Sequence, residues 1–165
     1  MTEYDSWIKI ARLIAKEIEK AHPRQGAEAD YPMLEWSKKK RLSQLFRLAV
    51  VIEGHRRSNA TAFESLFQRN ALHHYLIAHQ QLSPNVAVVL PLSQIVIVAH
   101  NDLIAPAYPH DDVHKIAASQ DQEIEFYAAQ KDDMWGTTMP GFRFLSCYQE
   151  SEFPIEKIHW IAAQM

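Results

Sequence analysis

The residues best equipped for chemistry in this 165-residue chain crowd into one short stretch: His100, Asp102, His110, Asp111, Asp112 and His114. His110 and His114 are four residues apart at the start of a readable helix, so they share a face. Imidazole and carboxylate together form the ligand set that holds zinc or iron. One reading is therefore a metal-dependent enzyme built on His100, Asp102, His110 and His114. The plainer reading is a solvated loop with acids at a helix start, where the helix dipole favours them. No third ligand follows at a diagnostic spacing.

Acids with aromatic neighbours support a different function. Asp102, Asp111, Asp112, Asp132 and Asp133 come from expected loops and strand ends, with Tyr108 and Trp135 among them. Asp121, Glu123, Glu125 and Met134 lie between. Charge of this kind steers a basic protein partner and the aromatic side chains anchor it. The principal functional expectation is thus a non-enzymatic protein-binding protein. An immunity-type inhibitor neutralising a basic toxin or nuclease is one concrete form, and an ordinary solubilising surface is the bland alternative.

The opposite charge gathers at Lys38-Lys39-Lys40-Arg41, with Arg47, Arg56 and Arg57. These can reach phosphates, which makes nucleic acid a further alternative. Four successive cations on a helix spread around a whole turn, however, and the chain as a whole carries a net charge of −3. Residues 1–82 hold 13 Lys+Arg against 9 Asp+Glu, and residues 83–165 hold 4 against 11. Such a split biases the choice of partner, or else the two halves face each other.

The remaining candidates read as structure. His73, His74 and His79 sit on an expected helix, where a ring nitrogen bonded to a carbonyl would satisfy a packed imidazole. Cys147 and His159 can form a thiolate–imidazole pair, yet both fall within expected strands, where a lone cysteine is a small core residue. One cysteine permits no internal disulfide, which suits a reducing cytosol. The N-terminus has no basic start followed by an apolar block, and no stretch reads as a membrane span. With four glycines there is little material for a phosphate loop.

The elements that must position these groups read as helices first and strands after. Trp7, Ile10, Ile14 and Ile18 mark one face of a helix over 2–21, stopped by His22-Pro23. A second helix would run from Pro32 to about Glu53, with Gly54 as its stop. A third would start at Thr61-Ala-Phe-Glu64, which has capping-box form, and end before Ser83-Pro84.

Val86–Leu90 and Gln94–Ala99 are rich in β-branched residues and read as buried strands. The competing reading is one buried helix from Ser83, kinked at Pro91. A short helix from Asp111 to Ala118, strands at 123–129, 142–148 and 155–162, and a long turn at 131–141 complete the chain. The last strand alternates poorly and has a short helix as its rival. The expected fold is one α+β domain, with three N-terminal helices on one face of a mostly antiparallel sheet.

Overall fold

The computed structural model describes residues 2–23, 31–133 and 148–165, the side chains at 31–33 and 131–133 excepted. Among them every regular element is helical, and no strand or sheet occurs, so the α+β expectation is overturned. The helices are α1 (Glu3–Ala21), α2 (Tyr31–Asn59), α3 (Arg69–Gln80), α4 (Pro84–Ala87), α5 (Leu92–Val98), α6 (His100–Ile104), α7 (Asp111–Asp133) and α8 (Ile155–Ala162), with a single 3-10 turn at Glu150–Glu152. None is long and apolar enough to cross a membrane.

α1 forms as its spacing requires. Thr2 Oγ1 accepts from the Asp5 amide, and the Asp5 carboxylate accepts from the Thr2 amide, closing a capping box. Trp7, Ile10, Ile14 and Ile18 are buried, and the Trp7 ring meets Phe46 of α2 edge-on at 5.8 Å.

α2 is the central element, packed against α1, α3, α5, α6, α7 and α8. It passes through Gly54 instead of stopping there. Glycine costs a helix interior only about 1 kcal/mol. Glu53 pairs with Arg56 and Arg57 one turn on, and His55 is buried, so both contacts hold the helix beyond the glycine.

The third helix starts later than expected. Thr61 Oγ1 accepts from the Glu64 amide, but the Glu64 carboxylate turns to the Leu66 amide and closes no box. Leu66 and Gln68 then adopt left-handed backbone, with φ 52° and 51°, which no helix continues through. Phe63 is left fully exposed.

From Pro84 onward the strand assignments fail for one reason: β-branched preference is weak and depends on context. Pro84 and Pro91 each stand just ahead of or at a first helical turn, giving α4 and α5. Leu92, Ile95, Val96 and Ala99 are buried, a helical spacing, whereas Val89 and Ile97 are exposed. The kinked-helix alternative for 83–99 lies nearer the outcome.

Residues 123–129 continue α7, since no glycine or proline interrupts the chain after Ala118. Residues 155–162 form α8, burying Ile155, Ile158, His159 and Ala162. The expected strand at 142–148 lies outside the described residues except for Tyr148.

A buried ionic cluster ties the C-terminal segment to α1 and α2. Glu152 is fully buried and receives Arg41 Nη1 on both oxygens, at 2.9 and 3.0 Å. His22 Nε2 lies 2.9 Å from the same nitrogen. Desolvation holds the His22 ring below its ordinary pKa, and Tyr148 covers the Arg41 guanidinium at 4.2 Å.

Candidate ligand-binding cleft

Where α2, α3 and α6 meet, they leave an open cleft of about 500 Å³. α2 contributes Gly54, His55 and Asn59, α3 contributes Tyr75 and His79, and α6 contributes Asp102. Gly54 matters here because a Cβ at that position would meet nothing within 4 Å. Its missing side chain is part of the opening. The strip Ala105–Ala107 forms another wall and leads directly to Tyr108.

Asp102 is half-buried at this cleft. The Tyr75 hydroxyl donates to its Oδ2 at 2.5 Å, and Gln80 Nε2 donates to the same oxygen at 3.0 Å. Gln80 also donates to the Tyr75 oxygen, at 2.9 Å, closing a three-membered network. Burial and the neighbouring carboxylate push the Tyr75 phenol well above its ordinary range, so it stays a donor at neutral pH. Among the described residues, neither a lysine nor an arginine pairs with Asp102, and Oδ1 accepts no bond.

The histidines make a second network on the same walls. Asn59 Nδ2 donates to His55 Nδ1 at 3.2 Å, so that nitrogen carries the lone pair. The proton of a neutral His55 must then sit on Nε2, which donates to His74 Nδ1 at 2.7 Å. Burial, with His74 and His79 adding to it, pulls the His55 pKa down to about 4. His79 stacks on Tyr75 at 5.4 Å and meets His55 at 5.0 Å. At neutral pH the cleft therefore presents one carboxylate among aromatic rings and a neutral His55.

The sequence-read candidates scatter by comparison. His110 Nε2 donates to the Glu3 carboxylate of α1 at 2.7 Å, His114 packs on Tyr108 at 5.1 Å, and His100 is exposed. Asp102 belongs to the cleft. No group of three or more His, Cys, Asp or Glu among the described residues is placed to hold a metal, so the four proposed zinc or iron ligands are not brought together.

Asp111 and Asp112 are exposed at the first turn of α7, with Asp112 paired to Lys115 at 2.8 Å. The side chains of Asp132 and Asp133, together with Met134, Trp135 and Cys147, lie outside the described residues. His159 is buried against Phe67 at 4.5 Å, and desolvation lowers its pKa.

The basic run is distributed as its helical turn requires. Lys38 is buried and bonded to Glu19, Lys39 pairs with Glu123, Lys40 lies over Trp36 and Arg41 is in the buried cluster. His74 bonds the His55 imidazole.

The cleft residues missed from the sequence are His55, Asn59, Tyr75 and Gln80. Two i,i+4 pairs, His55 with Asn59 and Tyr75 with His79, were the signal available. Their meeting with Asp102 depends on the packing of three separate helices. Compared with protein-family models, with curated proteins and with solved structures, the chain matches none.

Proposed function

We propose that this is a non-enzymatic binding protein that captures a basic protein partner, seating one of its lysine or arginine side chains in the cleft. The observation that carries this reading is Asp102. It is a half-buried carboxylate held by two neutral donors, and among the described residues Oδ1 accepts no bond and no lysine or arginine pairs with it. A charge withdrawn from water is stabilised chiefly by a counter-charge and further hydrogen bonds. The rings of Tyr75, His55 and His79 supply faces on which a guanidinium or ammonium packs favourably.

His55 stays neutral down to about pH 4, so it sets no like charge against the cation. Tyr75, His55 and Asp102 lack an activated nucleophile among them, which favours capture over turnover. Exposed Asp111 and Asp112, a few residues along the chain, steer the same partner. The lone Cys147 suits a cytoplasmic setting for this capture.

The test is affinity capture from the native host by three full-length baits: the natural chain, Asp102→Asn and Gly54→Leu. Gly54→Leu fills the cleft where there is open space and keeps the helix. A basic protein retained by the natural chain and lost from both variants is the expected result. Retention by both variants, or capture of acidic proteins alone, overturns the reading.

A further inference from the structure

A second site, independent of the cleft, lies between α1 and α7. Both helices pack on α2 and touch each other only lightly, leaving a groove of about 290 Å³. Tyr4, Ile8, Ala11 and Ala15 form its α1 side at spacings of four, three and four. That stripe is about 16 Å long at 1.5 Å per residue. Lys39, Ser119 and Glu123 continue it into an adjoining hollow of about 360 Å³ that reaches the exposed ring of Phe126.

Gln120 is the anomaly of this groove. It is only 6% exposed and lines the groove, yet among the described residues neither its Nε2 nor its Oε1 has a hydrogen-bond partner. A buried amide without partners is destabilising, and such groups in folded proteins call for a reason. Its two atoms ask for one acceptor and one donor side by side. In an extended chain the N–H and C=O of a single residue project from the same edge and present that pair. The small side chains of Ala11 and Ala15 let a backbone approach closely.

Charge defines the rest. The groove carries Arg12, Lys39 and Lys115 against one carboxylate, Glu123. A length of about 16 Å matches about five residues at roughly 3.3 Å each. We propose that the groove between α1 and α7 binds an extended acidic peptide segment of about five residues, its main chain clasped by the Gln120 amide. The amide is closed off from water in the free protein, so entry of a peptide requires side chains at the groove to move aside. Acidic side chains of the peptide then replace Glu123 and Asp112 on Lys39 and Lys115.

The experiment is fluorescence anisotropy on the full chain with fluorescein-labelled Glu-Val-Glu-Val-Glu. Two control probes are the same peptide N-methylated at both valines and Lys-Val-Lys-Val-Lys. Gln120→Leu removes the unpartnered amide, a change that leaves folding neutral or improved. Ala11→Phe fills the groove at a partly exposed position. Saturable binding of the acidic probe is expected, weakened about tenfold by Gln120→Leu and by N-methylation, the size of one or two ordinary hydrogen bonds. It is expected to vanish with Ala11→Phe and with the lysine peptide. Equal affinity in natural chain and Gln120→Leu, equal affinity for both charge types, or no saturable binding each overturns the proposal.

Discussion

Acidification tests the histidine network most directly. His55 has both ring nitrogens committed, Nδ1 as acceptor from Asn59 and Nε2 as donor to His74. A second ring proton turns Nδ1 into a donor facing the Asn59 amine, and His74 and His79 repel the charge. Burial first and these neighbours second lower its pKa to about 4, from an unfolded value of about 6.5.

Between those two values the unfolded chain binds a proton that the folded chain refuses. Stability therefore falls as pH drops from about 6.5 towards about 4, and the contribution is intact above that window. A shift of that size corresponds to about 2.5 kcal/mol lost by about pH 4.5. His55 lines an open cleft, so solvent screens part of the penalty, and about 1–2 kcal/mol is the working figure.

His22, His73 and His159 also have lowered pKa values, chiefly by desolvation, and they act in the same direction. The measurement must therefore be a difference. Urea unfolding of the natural chain and of His55→Gln is compared at about pH 7.5 and about pH 4.5, with midpoints converted through a common slope. Glutamine keeps a donor and an acceptor but does not titrate. The natural chain is expected to lose about 1–2 kcal/mol more than the variant over that interval. Identical losses refute the assignment, as does an imidazole resonance of His55 titrating near pH 6.5.

Two further outcomes follow from the charges. Glu152→Gln removes the buried carboxylate that the Arg41 guanidinium bonds through both oxygens and should cost about 3–5 kcal/mol by denaturant unfolding, whereas Arg41→Met with Glu152→Leu should recover most of it. Asp111→Lys with Asp112→Lys should slow association with the captured partner by about tenfold at low salt and leave dissociation nearly unchanged, read by surface plasmon resonance. An altered dissociation rate alone would place those two acids inside the contact and not beside it.

Periodicity was legible where no second local signal opposed it. Trp7, Ile10, Ile14 and Ile18 of α1 are buried together, and their spacing suffices to mark that face. It misled where two local signals conflicted. Val86–Ala99 is rich in β-branched residues, yet Leu92, Ile95, Val96 and Ala99 already repeat with helical spacing, and two prolines stand where first turns begin. In Glu123–Ala129 the alternation was real but short, and the uninterrupted chain before it carried α7 straight through. Gly54 read as a stop because the ion pairs of Glu53 with Arg56 and Arg57, which hold the helix past it, look on paper like an ordinary charged turn.

Asp102 was legible as a candidate, but its surroundings were not: the groups that meet around it are far apart in sequence and uncharged. Tyr75 and Asp102 are 27 residues apart, and His55 and His74 are 19 apart. The charge split between the two halves was visible, and the structure explains much of it internally. Lys39 pairs with Glu123, Arg41 with Glu152, Arg47 with Asp121 and Arg69 with Glu156, each joining a cation of the first half to an acid of the second. What remains for an outside partner is narrower than an acidic half. Among the described residues Asp102 accepts from a phenol and an amide and from no cation, so dipoles offset its charge there. That residue, and not the larger number of acids around it, is where a partner's cation gains most by leaving water.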